Sequence, residues 1–176
     1  MSILAYVLRI ISLAFLFGGS SSIVFAAITL VKAAQSAGVP IAEAAAANAP
    51  MFYMFSIVVA VCSLALLAAE AMDFMKERKA TEFKLSSLTK ARYLSSCLCV
   101  VAAIVLNVAI IPHMKKLAPT IKTDKTAHAA FQKLHSVSRI DFSVIIVCSL
   151  ISLLLPGFEQ NKLQNAVAKE TPVASV

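Results

Sequence analysis

YLSSCLCVVAAIVLNVAIIPHM, residues 93–114, carries no charged side chain between Arg92 and Lys115. A helix needs about 20 predominantly apolar residues to cross roughly 30 Å of hydrocarbon. This run reaches that length with one histidine, His113, near its end. Three more blocks of the same kind lie around it. They are Ile10 to Val31 between Arg9 and Lys32, Met51 to Ala69 ending at Glu70, and Phe142 to Phe158, which lengthens if Asp141 sits at the interface. The reading is an all-α integral membrane bundle of four transmembrane helices over residues 1–158, followed by a polar C-terminal tail, 159–176.

Composition agrees. Of 176 residues 60% are hydrophobic and 14% charged, with a mean hydropathy of +0.85. A soluble domain runs about 45–50% apolar and about 25% charged. A cleaved signal peptide would want a basic start, a short apolar core and a small-residue cleavage site. Only Arg9 is basic ahead of the first block, and the apolar run continues past Gly18, Gly19 and Ser20. An uncleaved helix is expected. Cys62, Cys97, Cys99 and Cys148 all fall inside spans, which excludes a disulfide-stapled loop of the tetraspanin or claudin kind. Cys97 and Cys99 stand two apart on a helix and so point to different sides, which suits packing rather than chelation.

The connections differ in character. Residues 33–50 are alanine-rich, with Gly38-Val39-Pro40 as a break and Ile41 to Ala47 as a short surface helix. Asn48 and Pro50 then suit a cap and the first turn of the second span. From Glu70 to Arg92, charges of both signs read as a solvated connector with a turn near Lys84 to Ser87. Between His113 and Arg139 six cations face one acid, Asp124. Thr126 to Ile140 reads as a helix that either lies on the interface or extends the fourth span outward. Lys115, Lys116 and Lys122 are placed at an anionic phospholipid surface. The tail after Pro156-Gly157 has no apolar face and is expected to lack order on its own unless a partner subunit holds it. Lys and Arg are slightly in excess on the side of the termini, which favours the cytoplasmic or matrix side for both.

Close approach of helices in a bilayer depends on small residues. Ala14, Gly18, Ser22 and Ala26 stand four apart on the first span, as do Ser95, Cys99, Ala103 and Asn107 on the third. Both stripes read as buried seams, and the first and third helices are expected to pack against each other through them. The same residues would line a polar pathway for a small solute. An unpaired amide in hydrocarbon costs several kcal/mol, so Asn107 is expected to bond to a neighbouring helix. Pro112 should end or kink the third helix. His135, one turn before Ser138, is read as a neutral bundle residue with one ring nitrogen bonded to a neighbouring helix, through Ser138 or a carbonyl near Pro112. His113, His128 and His135 lack metal-ligand spacing, so no metal and no cofactor is expected. Glu70 and Asp141 lie at span edges, within reach of water, and no known catalytic motif is present.

The order of features resembles a known family. A span ending Leu106-Asn107-Val108-Ala109-Ile110-Ile111-Pro112, followed by Phe131-Gln132-Lys133-Leu134-His135-Ser136-Val137-Ser138 leading into the last span, is similar to the four-helix family of transmembrane protein 205, also called domain of unknown function 4149. The likeness extends over residues 3–158. It implies a tetraspan membrane protein, remotely akin to copper-resistance membrane proteins, and names no reaction.

The function expected is that of a non-enzymatic tetraspan protein acting through helix contacts, either alone or as an accessory subunit of a larger membrane assembly. A small transporter or metal-handling protein, with Asn107, His135 and Ser138 near its path, is the alternative. Lipid and other membrane subunits are the expected partners, and nucleic acid is not.

Overall fold

A computed structural model describes residues 3–79, 86–121 and 123–170; the side chains of residues 42, 162, 163 and 165–170 lie outside the description. Among the described residues four long helices follow one another: α1 (Ile3–Ser36), α2 (Ile41–Arg78), α3 (Ser87–Leu117) and α4 (Lys125–Glu170). Each contains a stretch long and apolar enough to cross a membrane. The chain is therefore a multi-pass membrane protein by length and composition.

Helix ends follow local chemistry. α1 closes on Gly38, whose φ of +82° suits a residue without Cβ. There Val39 N–H reaches the Ala34 carbonyl and Gly38 N–H the Gln35 carbonyl, both at 2.9 Å, a Schellman closure. Ser86 caps α3 by accepting from Thr89 N–H at 3.0 Å. Asp124 accepts from Thr126 N–H at 2.8 Å at the start of α4.

Three boundaries differ from the sequence reading. Ile41 to Ala47 and the second span form one helix, with Pro50 inside it and Pro40 as its N-cap. Alanine is the strongest helix former, so the alanine-rich run starts the helix well before Asn48, and exposed Pro50 removes only one backbone donor. Likewise Pro156 lies inside α4, which continues to Glu170. The polar tail expected from residue 159 is thus helical as far as Glu170; residues 171–176 lie outside the described residues. In α3 the turn Leu106–Ile110 widens to a π-helix just ahead of Pro112, and the helix goes on to Leu117. The extra residue in that turn accommodates the proline instead of ending the helix. A second π-turn, Phe15–Gly19, interrupts α1.

The helices pack in ring order, α1 on α2, α2 on α3, α3 on α4, and α4 back on α1. Between them lies a core that includes the fully buried Leu13, Leu16, Val59, Leu66, Leu106 and Ile145. The outer faces carry large exposed apolar side chains on every helix, among them Phe25, Leu64, Val108 and Ile140. In water such a surface would aggregate; facing acyl chains it needs no cover.

Candidate functional site

The expected seam between the first and third helices is corrected by this ring order, which places them diagonally. On α1, Ala14 and Ser22 are exposed, and a Cβ on Gly18 would meet nothing within 4 Å. The close approach is one residue further on. A Cβ on Gly19 would stand 2.8 Å from the Phe55 ring. The buried face of α1 is made instead by Arg9, Ser12, Leu13, Leu16 and Ser20.

On α3 the small stripe Ser95, Cys99 and Ala103 is buried, and its partner is α4. Ser95 Oγ lies 2.6 Å from Ser152 Oγ, and Cys99 Sγ reaches the Ile145 carbonyl at 3.8 Å. Asn107 is half-buried, but its amide donates to the Ala103 carbonyl of its own helix at 2.9 Å rather than to a neighbouring helix. Ser138 behaves alike, donating to the His135 carbonyl at 2.8 Å. The hydroxyl expected to hold the imidazole of His135 is thus committed to backbone.

A site that sequence reasoning took for a solvated connector is buried at the end of the bundle that carries the N-terminus. Glu70, Asp73 and Glu77 stand at i, i+3 and i+7 on α2 and so share one face. That face meets one arginine from each neighbouring helix. Arg9 of α1 places Nη1 2.9 Å from Asp73 Oδ2, with the side chains 1% and 3% exposed. Arg92 of α3 places Nη2 3.3 Å from Glu70 Oε2 and 4.0 Å from Glu77 Oε1. Glu70 Oε1 accepts from Ser96 Oγ at 2.9 Å, and Tyr93 donates to Glu77 Oε2 at 2.9 Å. The Arg92 guanidinium stands 4.6 Å from the Tyr93 ring centroid.

α4 joins this cluster through hydroxyls. Ser152 Oγ lies 3.1 Å from Ser96 Oγ, and Glu159 accepts from Ser86 at 2.5 Å and from Thr89 at 2.9 Å. The last two bonds pin the extension of α4 beyond Pro156-Gly157 to the start of α3. Water access to Glu70 is corrected accordingly, since it is 7% exposed. Two guanidinium groups balance two carboxylates in the buried part, while Glu77 sits at the rim. Such pairs are held only if geometry and further hydrogen bonds offset the desolvation of each ion. Ser96 supplies such a bond to Glu70, and Tyr93 one to Glu77 at the rim.

At the opposite end Lys115 and Lys116 are exposed, with Lys115 Nζ 5.1 Å from the Tyr53 ring centroid. Lys122 lies outside the described residues. His113 Nδ1 is 2.7 Å from the Ala109 carbonyl. His135 is half-buried and His128 exposed. Among the described residues no group of three or more His, Cys, Asp or Glu side chains is placed to hold a metal ion. All four cysteines are free, with Cys97 exposed and Cys99 buried.

No family model, curated protein or solved structure matches the chain.

Proposed function

We propose that this chain is a non-enzymatic tetraspan membrane protein that works through helix contacts, as an accessory subunit of a larger membrane assembly. The observation that carries the reading is the terminal cluster, in which charged and hydroxyl side chains tie each helix to its neighbour. Intramembrane ionisable groups are expensive and find a partner or a wet cavity. Here they join helices, and the polar groups Asn107 and Ser138 are taken up by their own backbones. The outward stripe Ala14, Gly18 and Ser22 is then the place where a partner helix approaches closely.

Membership in the transmembrane protein 205 family belongs to the same proposal and rests on the motifs around Asn107-Pro112 and Phe131 to Ser138. So do the placement of both termini on the cytoplasmic or matrix side and the contact of the Lys115–Lys116 end with anionic phospholipid.

Native mass spectrometry after extraction in mild detergent tests the reading. The wild type is expected in a complex of fixed stoichiometry, and Gly18→Leu is expected to dissociate it without changing the Tm of the released chain. Wild-type protein running alone, or a complex indifferent to Gly18→Leu, would contradict it.

A further inference from the structure

The charges at the terminal end are used unevenly. Every carboxylate described there is paired or hydrogen-bonded within the bundle: Asp73 with Arg9, Glu70 with Arg92 and Ser96, Glu77 with Tyr93, and Glu159 with Ser86 and Thr89. Lys76, Arg78, Lys79 and Lys90 are exposed, and none of them forms an ion pair among the described residues. A connector of mixed sign in the sequence therefore turns a cationic surface to water.

Two of these four cations share one place. Phe74 of α2 and Tyr93 of α3 meet edge to face, with ring centroids 5.9 Å apart. Arg78 stands four residues after Phe74 and Lys90 three before Tyr93, so each lies on the same helix face as its ring. α2 ends and α3 begins at the terminal end, so both cations lie on the water side of the rings, about 4.5–6 Å further out. Lys76 and Lys79, two and five residues after Phe74, fall roughly 140–160° away from it around the helix. They belong to the other flank of α2.

On the bilayer side of the rings the same junction is apolar and open. Phe74 itself is 40% exposed and Leu67, two turns before it, 47%. Cys97, one turn after Tyr93, is exposed too. From bilayer to water the order is exposed apolar side chains, an aromatic pair, then an arginine and a lysine. A phospholipid presents acyl chain, glycerol and phosphate in that order. Aromatic rings settle at headgroup level, a guanidinium meets phosphate oxygens through paired donors, and cations near the surface attract anionic lipid. A soluble phosphate compound would engage the cations and leave the apolar part of the junction without a role.

We propose that the outer junction of α2 and α3 at the terminal end seats an anionic phospholipid, with its phosphate between Arg78 and Lys90 and an acyl chain along Phe74 and Leu67. The seat lies at the end opposite the Lys115–Lys116 contact and depends neither on that contact nor on a partner helix at Gly18.

The chain has no tryptophan, so Leu67→Trp supplies a single fluorophore at acyl depth below the rings. The full chain carrying this reporter is placed in phosphatidylcholine vesicles, with a fixed share of the lipid replaced by brominated phosphatidylglycerol or brominated phosphatidylcholine. Bromine quenches tryptophan only at short range, so lipid at the other end of the bundle does not contribute. Brominated phosphatidylglycerol is expected to quench several-fold more than its share of the bilayer accounts for, and brominated phosphatidylcholine no more than its share. Replacing Arg78→Gln and Lys90→Gln together is expected to abolish the excess. Lys76→Gln with Lys79→Gln removes the same charge from the other flank and should preserve it. Equal quenching by the two lipids in the reporter chain would overturn the proposal, as would an excess that survives without Arg78 and Lys90. An excess lost equally in both double variants would also overturn it, by showing diffuse attraction to the surface instead of a seat.

Discussion

Arg9 Nη1 and Asp73 Oδ2 meet at 2.9 Å across 64 positions of chain, both side chains almost wholly withdrawn from solvent. The pair sets the height of α1 against α2. With Gly19 seated under the Phe55 ring two to three turns away, it leaves α1 one register on its neighbour. Each charge would be costly in that position without the other.

The second pair is expected to behave as an unequal partnership. Arg92→Met leaves Glu70 buried without its cation and should cost about 3–5 kcal/mol. Glu70→Gln keeps an acceptor for Ser96 and should cost less. Glu77→Gln, at the rim, should change stability by less than about 1 kcal/mol. Thermal unfolding in mild detergent ranks the three, and equal losses for Arg92→Met and Glu77→Gln would refute the ordering.

The two glycines of the first span should separate cleanly. Gly19→Val drives a side chain into Phe55 and is expected to destabilise the isolated chain by about 1–3 kcal/mol. Gly18→Val points into open space and should leave its stability unchanged. The reverse ranking in a detergent melt would return the buried seam to Ala14, Gly18 and Ser22.

The four spans were legible because hydrocarbon thickness demands a long apolar block, and such a block shows in the sequence whatever it packs against. The buried stripe Ser95, Cys99 and Ala103 was legible for a related reason, since small residues four apart on a bulky helix mark close contact. What was not legible was which helix that stripe faces. A span does not state its neighbours, and a four-helix ring leaves one diagonal pair apart. Glu70 and Asp73 were misread because a carboxylate at the end of an apolar run looks the same whether it faces water or an arginine of another helix. Asn107 was misread because a backbone carbonyl one turn back satisfies an amide as well as a partner helix does. Pro50 and Pro156 failed as boundaries because the alanine run and the Glu159 bonds carry the helices through them.

At the opposite end, Lys115 and Lys116 stand exposed, in the same connection as Lys122. Neutralising all three together should weaken binding of labelled anionic phospholipid by about 1 kcal/mol for each lysine at the surface. Vesicle co-flotation with and without anionic lipid measures this, and unchanged affinity would count against a headgroup contact.

Elemental analysis of the purified protein beside His135→Ala addresses metal handling. The expected result is no stoichiometric copper or zinc in either sample, since no three candidate ligands converge among the described residues. Metal bound one-to-one in the wild type and lost in the variant would assign His135 a ligand role.

The Arg9–Asp73 pair offers the most direct test of the clasped bundle. A double-mutant cycle would compare the detergent Tm of wild type, Arg9→Asp, Asp73→Arg and the combined exchange. Each single change sets two like charges together in a buried site and is expected to unfold the protein or lower its stability by several kcal/mol. The exchange restores an opposite pair and should recover a large part of that loss, with a coupling energy above about 1 kcal/mol. Additive losses, with the exchanged protein no more stable than the worse single variant, would show that the two side chains do not meet and that the helices are not joined as described.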